Sequence, residues 1–260
     1  MIVIYAQLPT ALEWVEIVPI GDAHDGDECF DEKALIACVE YIAASPNRYC
    51  ILNGDMMNIA LKNSKSDVYS DVRNPNKQID HIKSILDPIA KKILAITGGN
   101  HEYRVALETT LDISEILAAR LGCIDRYALD SYVLFVSVGK ADTRGDKITQ
   151  HVYSLYCHHG YGGGKKSGSK LNNVISLNDT VDADVYVMNH LHTPAATKSD
   201  YFRLDYQHKK AVQITRTYVL ANAWLKFGGY GQRKGYSPST ITITRIKLSG
   251  RHKKHVEITI

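Results

Sequence analysis

Five short apolar runs that end abruptly in Asp, Asn or His constrain the fold of this chain more than any other feature. They are rich in β-branched residues and occupy residues 15–24, 50–55, 93–102, 152–160 and 184–192. Short apolar runs bounded by glycine and polar residues are typical of strands buried on both faces. In open α/β sheets, ligands bind in the crevice at the carboxyl ends of such strands. We therefore expect the five strand ends to converge on one site rich in oxygen and imidazole donors.

The segments between these runs predict amphipathic helices. Residues 31–44 carry apolar side chains at helical spacing and acidic ones at the start, where the helix dipole favours them. Residues 78–92 predict a second helix with a kink at Pro88, and residues 112–122 a third that ends at Gly122. Residues 61–77 show no periodicity and predict a long surface loop or a short irregular helix.

The second half of the chain is richer in strands. Residues 132–139 and 151–157 predict antiparallel neighbours joined by a turn at 141–146, which indicates a second sheet. Further strands are predicted at residues 212–221, 240–248 and 255–260. Two sheets flanked by helices, an α/β/β/α sandwich, fit this order better than a single doubly wound sheet. We expect residues 1–260 to form one domain.

Charge and cysteine content restrict the partners and the cellular compartment that we expect for this protein. A net charge of +3 is too small an imbalance to indicate a nucleic-acid partner by itself. The five cysteines include no Cys-x-x-Cys pair, and their odd number argues against a closed disulfide framework. The apolar residues 1–20 are interrupted by prolines and glutamates and lack a basic start, unlike a signal peptide or a membrane span. We expect a cytoplasmic protein without a membrane partner.

The polar residues at the strand ends are typical of a metal site. They comprise carboxylates, an amide and imidazoles: Asp22, His24, Asp55, Asn100, His159, His190 and His192. Such ligands without thiolate suit Mn²⁺, Fe or Zn²⁺. Seven donors are too many for one tetrahedral ion, and sharing Asp55 between two ions resolves the count. The alternative, that buried Asp and His only satisfy caps and turns, does not explain why both types stand at five strand ends.

The order of these motifs resembles the calcineurin-like metallophosphoesterase superfamily. Asp-x-His, Gly-Asp, Gly-Asn-His-Glu, His-Gly and His-x-His follow one another between Gly21 and His192. The resemblance implies that one ion is held by Asp22, His24 and His192, that a second is held by Asn100, His159 and His190, and that Asp55 bridges them. It also implies two divalent cations, with Mn²⁺ the first choice and Fe, Zn or Ni the alternatives. One departure is Asn189, where the family usually has Gly, and a bulkier residue there is expected to shift the pocket wall.

The resemblance further implies the chemistry. Two cations about 3.5–4 Å apart lower the pKa of a bridging water and stabilise both the attacking and the leaving oxygen, so that the activated hydroxide hydrolyses a phosphate ester. His101 would be the catalytic acid that protonates the leaving alkoxide. Glu102 or Asp25 could orient the histidines. His158 is expected to pack, because in an alternating strand it faces away from His159.

The substrate preferred by these observations is a phosphodiester, with a nucleic acid or nucleotide as the candidate class. The loop 161–170 follows His159 and carries Lys165, Lys166 and Lys170, and it is either a basic flap over the substrate or an ordinary solvated loop. Among the arginines, Arg104 is the best-placed phosphate clamp, and the other candidates are Arg73, Arg144 and Arg203. The basic cluster 232–236 ends in Tyr236, which could stack on a base.

Two rival functions stay open at this level. A phosphomonoesterase or protein phosphatase is suggested by residues 21–26 and 99–102, although Met56-Met57-Asn58 replaces the extension typical of protein phosphatases. A catalytically silent scaffold of the same fold would be expected to lack a ligand or the acid, whereas this set is complete.

Overall fold

The computed structural model describes residues 1–62, 71–144, 147–251 and 253–260. These residues form twelve strands and six α-helices. The strands are β1 (Ile2–Gln7), β2 (Trp14–Ile20), β3 (Arg48–Asn53), β4 (Ile93–Thr97), β5 (Tyr127–Ala128), β6 (Ser131–Arg144), β7 (Lys147–His158), β8 (Val185–Met188), β9 (Ala195–Asp205), β10 (Lys210–Leu220), β11 (Arg245–Ser249) and β12 (Val256–Thr259). The helices are α1 (Glu32–Ala43), α2 (Pro75–Leu86), α3 (Asn100–Thr109), α4 (Ile113–Arg120), α5 (Ser167–Ile175) and α6 (Gly229–Arg233).

The strands form two mixed six-stranded sheets. The first sheet has the order β1-β6-β7-β8-β10-β9, and the second has the order β12-β11-β2-β3-β4-β5. Within the second sheet β2, β3 and β4 are parallel, and within the first sheet β7 and β8 are parallel. The five predicted strands are therefore present, and neighbours within each parallel group present their carboxyl ends at the same edge.

Three layers of apolar side chains hold the sheets and helices together. One core lies between the two sheets and includes Ile17, Ile51, Leu134 and Val187. A second joins the outer face of the second sheet to α1, α2 and α4, and a third joins the outer face of the first sheet to α5. The predicted α/β/β/α sandwich is thus confirmed.

Several element boundaries differ from the sequence expectation. Helix α2 begins at Pro75, with the Asn74 side chain accepting from the Lys77 N–H, so the last part of the expected loop is helical. The α-helix stops at Leu86 and residues 87–92 continue as a 3-10 helix, because Pro88 lacks the N–H that an α-helix requires. Residues 63–70 of that expected loop, and 145–146 of the expected turn, lie outside the described residues. Strand β11 starts only at Arg245, five residues later than expected.

The structure tests two of the expectations, which concern disulfide bonds and membrane-spanning helices. All five cysteines are free, and only Cys29 is partly exposed. Among the described residues, no helix combines the length and the apolar character that crossing a bilayer requires.

A glycine pair couples the two sheets. Gly139 in β6 has a φ of 60°, and a Cβ on it would overlap the backbone of Gly250, which follows β11. The Lys140 N–H donates to Gly250 O over 2.7 Å, and the Gly250 N–H donates to Glu13 O over 2.8 Å. The backbones can approach this closely only because neither residue carries a side chain.

We expect Gly139→Ala to lower the free energy of unfolding by roughly 2–4 kcal/mol, since backbone strain adds to steric overlap. The matched control is Gly122→Ala, because Gly122 has a similar φ of 69° but open space around its Cβ position. That variant should lose only about 1 kcal/mol. Equilibrium urea denaturation of both variants measures the difference, and equal losses would contradict the close sheet contact.

Candidate metal centre

The seven predicted ligands meet where the parallel strands of the two sheets end. Asp22 and His24 follow β2, Asp55 follows β3, and Asn100 opens α3 after β4. From the first sheet, His159 follows β7, while His190 and His192 follow β8. The structure thus brings together residues that are up to 170 positions apart in the chain.

Five of these residues have an unusual backbone conformation. Asp22, His24, Asp55, His190 and His192 have φ values between 50° and 67°, in the left-handed region. Among the described residues only three other non-glycine residues share it. This conformation costs roughly 1–2 kcal/mol per residue and tends to occur at functional sites, where it aims a side chain.

The Asp55 carboxylate occupies the middle of the centre. Its Oδ1 accepts the His101 backbone N–H over 2.8 Å, at the start of α3. Its Oδ2 lies 3.2 Å from His159 Nε2, 3.8 Å from His24 Nε2 and 3.9 Å from His101 Nε2. One oxygen therefore fixes the backbone, and the other faces three imidazoles.

Asp22 divides its oxygens in the same way. Its Oδ2 accepts the His190 backbone N–H over 2.7 Å. Its Oδ1 is fully buried without a hydrogen-bond donor, 3.4 Å from His192 Nε2 and 3.8 Å from His24 Nε2. The two histidine Nε2 atoms are themselves only 3.2 Å apart. A buried carboxylate oxygen without a donor is rare in folded proteins, and a cation among these three groups would satisfy it.

Main-chain carbonyl groups orient three of the imidazoles. His159 Nδ1 lies 2.8 Å from Asn53 O, His101 Nδ1 lies 2.8 Å from Asn58 O, and His190 Nε2 lies 3.1 Å from Gly162 O. A carbonyl oxygen only accepts, so each of these ring nitrogens carries a hydrogen and the opposite nitrogen is the one available to a cation or to a second proton. The expected orienting residues, Glu102 and Asp25, do not make these contacts in the described structure.

Glu102 instead holds the strand-end loops together. Its carboxylate accepts the backbone N–H groups of Asp55, Met57 and Gly99, each over 3.0 Å. Burial, reinforced by the nearby Asp55 carboxylate, raises the pKa of Glu102 to about 7. Asp25 pairs with Arg73 over 3.0 Å and with His81 over 3.1 Å on the other side of the β2 end.

The imidazoles hold the central carboxylates in the ionised state. Burial alone would raise the pKa of Asp55, but His159 and His101 outweigh it and hold that pKa well below its usual value. Burial would also raise the pKa of Asp22, but His192 outweighs burial and the pKa of Asp22 is lowered. Ionised carboxylates and neutral imidazoles are the forms that bind metals, so a cation can take the place of the protons that these histidines would otherwise carry.

The donor geometry fits a divalent metal. Three groups place their ligand atoms within 4.8 Å of one another, and they are Asp22, His24 and His192; Asp55, His159 and His190; and His24, Asp55 and His101. Asn100 Oδ1 lies 3.2 Å from His159 Nε2, beside the second group. The metal's identity, the number of ions and the bridging role of Asp55 stay predictions.

A cavity of about 600 Å³ opens over the centre. The predicted clamp residue Arg104 lines it, as do His24, Asn100 and His101. Another part of its wall is formed by residues from 223–239, so the C-terminal quarter of the chain both completes the sheets and lines the site. Sequence reasoning gave no role to Phe227 in this wall, because no periodicity or motif surrounds it.

The basic loop differs from its expected form. Residues 167–170 belong to helix α5, and Lys170 is buried, with its Nζ donating to Leu191 O over 2.9 Å and to Thr193 Oγ1 over 2.6 Å. Lys165 and Lys166 are exposed and do not line the cavity in the described structure. The long side chain of a lysine can place its amino group on main-chain oxygens and so stabilise the fold. The position of Lys170 in a basic loop did not indicate this role.

The other clamp candidates that the structure describes, Arg73 and Arg203, do not line the cavity. Arg73 is paired with Asp25, Arg203 forms an ion pair with Asp182, and the side chain of Arg144 lies outside the described residues. Asn189, where a bulkier residue is expected to shift the pocket wall, does not itself line the cavity. That residue is fully buried behind the centre, where its Oδ1 accepts from Asn53 Nδ2 over 2.9 Å and the absence of a side chain at Gly21 makes room for it.

Comparison with known proteins leaves the function to be inferred from this geometry. No family model and no curated protein matches the chain. One similar solved structure is a conserved uncharacterized protein, a predicted phosphoesterase, from Streptococcus pneumoniae TIGR4, with 11% identity, 95% of this chain and 90% of that chain covered, and a TM-score of 0.38. Another is a metallophosphoesterase from Sphaerobacter thermophilus, with 11% identity, 94% and 87% covered, and a TM-score of 0.40. Similarity at this level carries no inference about activity.

We expect Glu102→Gln to destabilise the protein by roughly 2–3 kcal/mol, because an amide NH2 would face backbone N–H donors and leave buried groups unpaired. Urea denaturation measures this loss. It is done at pH 8, above the pKa of Glu102, so that the carboxylate is ionised, and with a chelator so that metal binding does not contribute. The matched control is Glu115→Gln, at an exposed position of α4. Equal unfolding midpoints for the two variants would show that Glu102 does not hold the loops.

Proposed function

We propose that this protein is a metal-dependent phosphoesterase with two divalent cations, and that it prefers phosphodiesters. The observation that carries the proposal is the central Asp55 Oδ2, which faces three imidazoles and lies beside the unpaired Asp22 Oδ1 under an open cavity. Donors of this kind, held by strained backbone, are built to bind cations rather than to stabilise the fold.

The ligand assignment follows the two main groups of donors. Asp22, His24 and His192 would hold one cation, and Asn100, His159 and His190 would hold the other, with Asp55 shared. Mn²⁺ is the cation we would supply first, with Fe, Zn and Ni as alternatives. When bound, two such cations activate water and neutralise charge on phosphate oxygens.

His101 is proposed as the catalytic acid. Its Nδ1–H donates to Asn58 O, which leaves Nε2 directed at the centre, and the ring lines the cavity. From this position Nε2 can deliver a proton to the leaving oxygen of the ester. The backbone N–H of the same residue fixes Asp55, so α3 positions the acid and the shared carboxylate together.

Arg104 is proposed to bind the phosphate. Its guanidinium is half-buried on the next turn of α3 and lines the cavity, and burial lowers its pKa while Asp55 and Glu102 oppose that shift. A planar guanidinium can contact two phosphate oxygens at once. Lys165 and Lys166, which are exposed on the neighbouring loop, are proposed contacts for parts of the substrate that extend beyond the cavity.

We expect Asp55→Asn to lower Mn²⁺-dependent turnover by roughly 10³-fold or more, since several kcal/mol of transition-state stabilisation depends on the cations. The amide oxygen can still accept the His101 N–H, so the fold should persist while the central negative charge is lost. Turnover of bis-aryl phosphate, aryl phosphate and oligonucleotides, together with calorimetric Mn²⁺ binding, measures both effects. Asp80→Asn, at an exposed position of α2, is the control.

The outcome of that assay separates the functions. Diester cleavage that is lost in Asp55→Asn supports the proposal, whereas turnover of the monoester alone would replace it with a phosphomonoesterase. Metal binding without turnover of any ester would favour a catalytically silent scaffold.

We expect His101→Ala to retain metal binding but to lose roughly 10²–10⁴-fold in turnover, and to lose more for alkyl than for aryl leaving groups. Alkoxides need protonation, whereas aryl oxides leave without it. His208→Ala, on an exposed hairpin end, is the control for removing an imidazole. Loss of a metal equivalent would assign His101 as a ligand instead, and an equal loss for both leaving groups would contradict its role as the acid.

A further inference from the structure

The wall of the cavity over the metal centre includes two exposed aromatic side chains. Phe227 is 53% exposed and Tyr236 is 38% exposed, and both line the same cavity as His24, Asp55 and His101. Binding sites for small molecules are typically lined by such rings together with a few charged groups.

The position of Phe227 is fixed by the segment before it. The Trp224 N–H donates to Asp22 O over 3.0 Å, the Asp31 N–H donates to Trp224 O over 2.7 Å, and the Lys226 N–H donates to Cys29 O over 2.8 Å. Trp224 itself is 1% exposed and anchors the segment in the core. With its backbone pinned on this side, the Phe227 ring stays at the cavity surface.

The position of Tyr236 is linked to the metal centre by Lys170. The Lys170 Nζ lies 5.8 Å from the centre of the Tyr236 ring, within the range of a cation–π contact. The same Nζ donates to Leu191 O, between the predicted ligands His190 and His192. The Tyr236 N–H donates to Gly231 O over 3.0 Å, which closes its own turn.

The cavity lining therefore combines two kinds of chemistry. Metal ligands and Arg104 suit a phosphate, and Phe227 and Tyr236 suit the face of a flat ring. A volume of about 600 Å³ is in the range of cavities that enclose a small ligand. The side chain of a phosphorylated serine or threonine carries no ring to place against these aromatic faces.

We propose that the cavity binds a nucleotide unit, with its phosphate at the metal centre and its base against Phe227 and Tyr236. This inference rests on the proposed phosphoesterase function and names its substrate class. Stacking on aromatic faces depends little on which base is stacked. The wall therefore distinguishes ligands with a base from ligands without one, but distinguishes poorly between different bases.

The test compares ligands with and without a base. Calorimetry of the Mn²⁺-loaded protein would measure binding of adenosine and cytidine 5′- and 3′-monophosphates against ribose 5-phosphate. The base should tighten binding by roughly 5- to 150-fold in the wild type, and each of Phe227→Ala and Tyr236→Ala should remove much of that gain. Neither variant should change the affinity for ribose 5-phosphate, and Tyr206→Ala, at an 85% exposed residue on the hairpin between β9 and β10, should change nothing.

The outcomes distinguish the inference from the function on which it rests. Equal affinity for ribose 5-phosphate and the nucleotides in the wild type would overturn the inference, even if diester turnover is robust. A base-dependent gain that survives in both variants would overturn the role of this wall. A base-dependent gain without turnover of any ester would support the nucleotide site and refute the hydrolase.

The same variants identify the source of the nucleotide. If the protein acts on nucleic acid, the wild type should cut an oligonucleotide with one abasic unit more slowly at that unit than at its neighbours. This difference in rate should be smaller in Phe227→Ala. If only dinucleoside phosphates or cyclic nucleotides are cleaved, with the same dependence on Phe227, the substrate is a small nucleotide. Uniform cleavage at the abasic unit, together with turnover of small diesters that is insensitive to Phe227, would exclude both sources.

Discussion

The burial of two carboxylates among imidazoles is the interaction on which this site depends. Asp22 and Asp55 are almost completely buried, and each uses one oxygen to accept a backbone N–H while the other faces histidine rings. Burying a negative charge in this way is costly unless opposite charge surrounds it. The fold supplies that charge by bringing strand ends from both sheets to one edge, and a bound cation would complete the compensation.

The metal centre and its cavity form one hydrogen-bonded unit rather than a set of independent loops. Trp224 connects the cavity wall to Asp22, Lys170 connects α5 to the loop between His190 and His192, and Asn53 connects the two sheets through Asn189. Because these bonds are buried, a change in the wall is transmitted to the ligands with little freedom to relax. Residues that never touch a substrate phosphate can therefore affect how it is positioned.

Function at this site combines a general part with a selective part. The cations and His101 would act on the phosphate of any ester that reaches them, since they contact only the reacting group. Selection among esters then falls to whatever lies beyond the phosphate, and in this chain that is a wall with exposed aromatic rings. Binding energy from the remote part of a substrate is what orients the reacting part.

The sequence by itself determined the five strands that lead to the site, the layers and the donors. Apolar runs that end in Asp, Asn or His are local patterns, so the five strands, the two sheets and the meeting of Asp22, Asp55 and His159 followed from them. The tertiary structure alone decided what each side chain contacts. Lys170 became a buried structural residue, main-chain carbonyls such as Asn53 O became the partners of the imidazoles, and Phe227 became part of the cavity. These outcomes depend on chain segments that are distant in sequence, and hydrophobic periodicity carries no information about which distant backbone atoms will lie within hydrogen-bonding distance.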